Sequence, residues 1–181
     1  MTARTPHPRP RTPGAARRRI LTAAATLLMG GGAAVMTASQ LAPQEVERVY
    51  GAVVIAAHQA AQAVSGEPTT ITLGAEGSPS TLDRCDGTFT RILAYEETGG
   101  VLPTWAAHNG CDGDAILPLQ LGDTVNIEGG EVPGLYRVVD TRQTAKHWAS
   151  VSELEGMTGD FVLQTCFYGR PHMLFLGVER V

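Results

Sequence analysis

Three side chains in the second half of the chain are of the types that nucleophilic acyl transfer uses. Cys166 offers a thiol, His108 an imidazole and Arg170, four residues beyond the thiol, a guanidinium. A thiolate attacks a carbonyl, an imidazole takes and returns the proton, and a cation or amide donors hold the oxyanion that forms. His108 follows the strand-like run Val101 to Ala107 and opens a loop rich in Gly and Asp, where a ring is exposed rather than packed. Arg170 sits in Phe167-Tyr168-Gly169-Arg170-Pro171, a tight turn between two apolar runs. Each residue also has an ordinary reading: a lone cysteine is often a small buried hydrophobe, a loop histidine is often inert, and an arginine in a turn is often solvated.

The cysteine count separates one thiol from the other two. Three cysteines cannot all pair, so one is left over. Cys85 and Cys111 both lie in Cys-Asp-Gly contexts that read as loops with room for a bridge, and closing that loop stabilises by roughly 3.5 kcal/mol on the loop-entropy model. Cys166 ends a β-like run and has no loop partner. Short Cys/His spacings of the kind zinc sites use are missing from the sequence.

Charge and hydropathy suggest where the chain works. The net charge of -4 conceals an arginine-rich tail: Arg4, Arg9, Arg11, Arg17, Arg18 and Arg19 precede the first acidic residue, Glu45. Beyond residue 19 there remain eight basic residues against eighteen acidic ones. That acidic body argues against a nucleic-acid partner, which requires a clustered basic surface. After Arg19 come the uncharged residues Ile20 to Met36. Basic residues held on the cytoplasmic side and an apolar run entering the bilayer predict export of the remainder of the chain. The expected organisation is a basic cytoplasmic tail (1–19), a signal or anchor segment (20–39), a helical stalk or linker (40–68) and a folded domain (69–181) outside the cell membrane. An uncleaved anchor is the preferred reading, with cleavage near Thr37 to Ser39 as the alternative.

The elements that must position the three side chains are mostly strands. Pro43 to Val64 reads as a helix, with Pro in its first turn and Gln44 and Glu45 near the positive end of its dipole. Its His58 lies in an Ala-rich setting and is assigned no chemistry. Beyond Thr69 the pattern turns to short apolar or alternating runs punctuated by Gly, Pro, Asp and Asn, which is all-β. Strands are expected at 69–73, 88–94, 101–107, 124–128, 135–140, 160–166 and 173–178, and one helical turn at 150–154. Trp105 is expected in the core, and Trp148 beside His147 along a groove or over a loop. Seven or eight short strands close on themselves or stack, because open edges invite aggregation. The expected fold class is a closed β-barrel with short helical turns, preceded by an N-terminal helix.

The order of these features resembles the sortase family across nearly all of residues 69–181, in a compact, actinobacterial-type variant. Val162-Leu163-Gln164-Thr165-Cys166 is similar to the family's Thr-Leu-x-Thr-Cys signature, with Val in place of the first Thr. Ala107-His108-Asn109 precedes Leu119-Gln120-Leu121-Gly122-Asp123-Thr124-Val125, similar to the family's His, Leu-rich stretch and Gly-Asp before a strand. Leu135-Tyr136-Arg137-Val138-Val139 is similar to its Tyr-x-Val strand. Two departures stand out. The family's Arg precedes the apolar run of the strand after the Cys, where this chain has His172 and Met173, so that Arg170 is displaced into the turn, with His172 or Arg142 as substitutes. The domain is also shorter than is usual for the family.

The resemblance implies an eight-stranded barrel that cleaves a sorting signal near the carboxyl end of a secreted protein. The acyl group passes through a thioester on Cys166 to an amine such as a cell-wall precursor, with His108 as acid and base and Arg170 at the oxyanion. No cofactor is implied by that chemistry. Asp112, Asp114, Glu128 and Glu131 fit no calcium loop and read as a solvated acidic surface. The competing readings are an exported cysteine hydrolase and a non-catalytic extracellular β-barrel binding protein. A reactive, partly ionised Cys166 is alkylated in the folded state, whereas a core cysteine resists until the chain unfolds.

Overall fold

The computed structural model describes Gln40 and residues 42–97, 99–147 and 149–181. The expected tail and signal or anchor segment, like Trp148, lie outside the described residues. Among the described residues, no helix is long and apolar enough to cross a membrane.

Residues Gln44–Val181 form one compact unit. Helix α1 spans Pro43–Ser65, and only Gly51 along it is buried. Seven strands follow: β1 Thr69–Gly77, β2 Phe89–Ile92, β3 Thr104–Ala106, β4 Thr124–Gly129, β5 Gly134–Ala145, β6 Phe161–Cys166 and β7 His172–Arg180. They close into a barrel in the order β1-β2-β3-β6-β7-β5-β4. The expected closed all-β barrel preceded by a helix is therefore what forms. The pairs β1/β2, β1/β4 and β3/β6 are parallel, and the other four are antiparallel.

Alternation along the strands sorts side chains between lumen and outer surface, because successive residues of a strand face opposite sides. Ile71, Leu73, Phe89, Trp105, Val125, Ile127, Tyr136, Phe161, Leu163, Leu176 and Val178 fill the lumen, and Trp105 is core as expected. A second, smaller cluster covers the outer face of β6 and β7. There Val162 and Phe175 pack with Leu154, Met157, Tyr95, Leu102 and Met173. Covered on both sides, β6 is buried along its whole length, which is why it reads as a nearly unbroken apolar run.

Several elements differ in extent from the sequence pattern. Leu93 and Ala94 belong to a single helical turn, α2 (Leu93–Glu96), since the chain must bend away from β2 to cover the outer cluster. Of the run 101–107 only Thr104–Ala106 is paired as a strand, and β5 continues to Ala145 because β7 offers it partners as far as His172. The turn at Val151–Leu154 forms where its capping residues place it: Ser150 accepts from Ser152 N, and Glu153 accepts from Ser150 N at 3.2 Å.

Cys85 and Cys111 are joined in a disulfide, with their Cα atoms 4.9 Å apart. It ties the 3-10 turn Pro79–Arg84 to the loop that follows β3. Replacing both cysteines by serine is expected to lower unfolding stability by roughly 3.5 kcal/mol, read as an earlier midpoint in urea denaturation of the oxidised protein.

Candidate active site

Cys166 is the last residue of β6 and the only cysteine outside the disulfide. On β6, Phe161 and Leu163 face the lumen and Val162 faces the outer cluster, so Gln164 and Cys166 share the outer face. Across the hairpin, Cys166 pairs with Met173, and Met173 pairs in turn with Thr144 of β5.

On the other side, β3 runs parallel to β6 in the register Thr104↔Val162, Trp105↔Leu163, Ala106↔Gln164. The pairing outlasts the strand: Ala107 N donates to Gln164 O at 3.1 Å, and the buried Thr165 hydroxyl donates to Ala107 O at 3.0 Å. The pairing thus reaches Ala107 and Thr165, the residues immediately before His108 and Cys166. β3 itself ends at Ala106, so His108 stands on the loop just beyond the last paired rung, and the partner its ring meets is Asp83. Thr144, Met173 and Cys166 form a row across β5, β7 and β6.

Behind this row the backbone is packed too tightly for any side chain at Gly113. A Cβ there would lie 2.5 Å from Thr165 Oγ1 and 2.6 Å from the carbonyls of Ala107 and His108. The His108 carbonyl accepts from Cys111 N at 2.9 Å and Gly113 N at 3.0 Å, so the loop turns back immediately after the histidine. The ring itself is 41% exposed, and its Nε2 lies 3.3 Å from Asp83 Oδ1.

Cys166 is 9% exposed, nearer the core reading than an open groove. Burial pushes its thiol pKa up, and the positive charge of Lys146 pulls the other way. Lys146 follows the end of β5, and its N–H donates to Pro171 O at 2.8 Å, carrying the β5–β7 ladder one residue further. It shares the outer face with Thr144, two residues earlier. Tyr95 borders the thiol from α2: its pKa is raised by burial and by the charge on Cys166, and its hydroxyl donates to Gln164 Oε1 at 3.4 Å.

Arg170 stands at the tip of the β6–β7 turn, its guanidinium carbon 5.9 Å from the centre of the Phe167 ring. The place opposite Cys166 belongs to Met173. Of the substitutes, Arg142 donates to the carbonyls of Glu153 at 2.5 Å and Glu155 at 2.9 Å, and His172 is exposed and pairs with Ala145. Arg170 and Lys146 both line a cavity of about 450 Å³ together with Asn109, Phe167 and Tyr50. A larger cavity of about 630 Å³ lies at the other end of β6, against Phe161, Trp105 and Tyr136. Its Arg91 is held by Glu96 and Glu76.

Helix α1 closes over the β6–β7 turn. Tyr50 meets Tyr168 edge to face at 5.5 Å, Arg48 Nε donates to Gly169 O at 3.0 Å, and Gly169 N donates to Glu47 Oε2 at 3.1 Å. The Tyr168 hydroxyl has one proton and two acceptors, Asn109 O at 2.8 Å and Asp114 Oδ2 at 3.0 Å. Burial and the Asp114 bond raise the Tyr168 pKa strongly. His58, given no chemistry from the sequence, brings Nε2 to 3.7 Å from the buried Asp114 carboxylate. No local signal in the sequence marks Asp83, Tyr95, Lys146 or the Tyr168–Asp114 pair, since each meets the site through contacts distant along the chain. Among the described residues, no group of three or more His, Cys, Asp or Glu side chains is placed to hold a metal ion.

No protein-family model matches the chain. No curated protein matches it either. Among solved structures, the chain is similar to a Clostridium perfringens sortase C determined with the C-terminal cell wall sorting motif, at 21% identity and a TM-score of 0.42. The similarity covers 59% of this chain and 61% of that one.

Two measurements probe the site. Because burial favours the protonated thiol, Cys166 keeps its proton to higher pH in the folded than in the unfolded chain. Iodoacetamide alkylation of the folded protein should therefore rise through a midpoint above that of a urea-unfolded control. Tyr168→Phe leaves Asp114 without its phenol donor, and should lower stability by about 1–3 kcal/mol in urea denaturation.

Proposed function

We propose that the chain is a sortase-type cysteine transpeptidase that works outside the cell membrane and is tethered by its N-terminal segment. The observation that supports the reading is the β3–β6 pairing, which holds as far as Ala107 and Thr165, the residues immediately before His108 and Cys166. The similarity of residues 162–166 to the family's signature adds to it. The substrates are secreted proteins with a C-terminal sorting signal, and the acceptor is an amine such as a cell-wall precursor.

In this mechanism the thiol starts protonated, since burial favours its uncharged form. Transfer of that proton to His108 gives a minor thiolate–imidazolium form that attacks the scissile carbonyl. The Sγ–C bond forms, and the carbonyl π electrons move to oxygen. Lys146 and Arg170, the cations lining the cavity beside the site, stabilise that charge. The adduct collapses with cleavage of the C–N bond, and the imidazolium gives its proton to the departing amine. An incoming amine then attacks the thioester and loses its proton to neutral His108. Cleavage of the S–C bond and return of a proton to sulfur restore the enzyme.

The low exposure of Cys166 favours a second reading, a non-catalytic extracellular barrel whose lone thiol is inert. Incubating the full chain with a mixed library of secreted-protein C-terminal peptides, with and without an added primary amine, separates the readings. A transpeptidase gives amide products that need the amine, a hydrolase gives acids in either case, and an inert barrel gives neither. Cys166→Ala should abolish product. Replacing both Lys146 and Arg170 by Ala should slow turnover roughly a hundredfold or more if they supply the oxyanion charge.

A further inference from the structure

The imidazole has a partner that takes no part in the proton transfers to and from Cys166. His108 Nε2 lies 3.3 Å from Asp83 Oδ1, and a carboxylate only accepts, so Nε2–H donates. The ring nitrogen that bears the proton is set by such a bond, which leaves Nδ1 as the basic atom. Asp83 is 78% exposed, so solvent screens the pair and its energy is small. What it supplies is direction.

The disulfide keeps the carboxylate in place. Asp83 lies in the 3-10 turn Pro79–Arg84, and Cys85 caps that turn in a left-handed conformation with φ 51°. Cys85 is bonded to Cys111, whose N–H donates to His108 O at 2.9 Å. Acid and imidazole therefore stand on two loops cross-linked within three residues of each.

We infer that Asp83 is a positioning residue for His108, held in place by the Cys85–Cys111 bridge, and that it fixes the ring with its Nε2 protonated and Nδ1 free for the thiol. The inference rests on the proposed pairing of Cys166 with His108 in acyl transfer. The bridge then has a role besides stability, because opening it releases the carboxylate from the ring.

The test uses the full, oxidised chain with nitrogen-labelled histidine. NMR of the ring nitrogens reports the His108 tautomer, and p-nitrophenyl acetate reports acylation of Cys166 as a nitrophenolate burst that Cys166→Ala removes. Asp83→Ala is expected to turn a single Nε2–H tautomer into a mixture and to slow the burst by about tenfold, a fraction of what general acid–base catalysis supplies. The unfolding midpoint stays unchanged, and Asp83→Glu recovers much of both signals. The double replacement of Cys85 and Cys111 by Ser has the same effects on tautomer and burst, though with its lower unfolding midpoint, and adding Asp83→Ala to it changes little further, as for residues acting through one contact. An unchanged tautomer and burst in Asp83→Ala overturns the inference. Loss of the single tautomer in Asp83→Ala when the wild-type chain shows no burst supports the clamp and sinks the acyl-transfer reading instead.

Discussion

The site depends on the register of β3 against β6. Side chains alternate along a strand, so a slip by one residue would send Cys166 into the lumen and separate it from the face that carries His108. The register is held at its open end by the Thr165 hydroxyl on Ala107 O, which is buried, and by the Ala107–Gln164 backbone bond. Gly113 packs against the same atoms without a side chain, so the loop after His108 supports the pairing from behind. Parallel pairing also matters, since only strands running the same way bring the end of β3 and the end of β6 to the same rim of the barrel.

Around that row the protein places its charge unevenly. The thiol is buried enough to keep its proton, and Lys146 is the cation whose field reaches it. Met173, an apolar side chain, holds the place directly opposite. Burial of this kind disfavours ionisation of the thiol, because a charge formed there is poorly solvated. Helix α1, the β6–β7 turn and the loop after β3 meet at Tyr168, whose hydroxyl ties Asn109 and Asp114 together while its ring fills the space above Gly51. The residue after His108 and the turn after Cys166 are therefore fastened to each other as well as to their strands.

Much of the barrel is legible from residue patterns. Val125 and Ile127 alternate with polar residues and lie in β4, Leu163 and Val162 form an apolar run covered on both faces, and Ser150 with Glu153 announces its helical turn. The errors fall where tertiary contacts override a local pattern. Leu93 and Ala94 look like strand but form a helical turn that brings Tyr95 over Phe175, and β5 runs on to Ala145 because β7 pairs with it. Of the candidate site, Cys166 and His108 are visible as types and places, whereas Lys146 and Tyr95 are not, since neither carries a motif.

The sequence by itself determined the all-β class, the N-terminal helix, the odd thiol and the two Cys-Asp-Gly loops, all of which are properties of short segments. Only the tertiary structure decided that Cys166 faces outward yet stays nearly covered and that Asp83 reaches His108. These depend on strand order and register, which are set by the packing of the whole barrel. Asp83 meets His108, and Lys146 comes within reach of Cys166, only when that sheet closes.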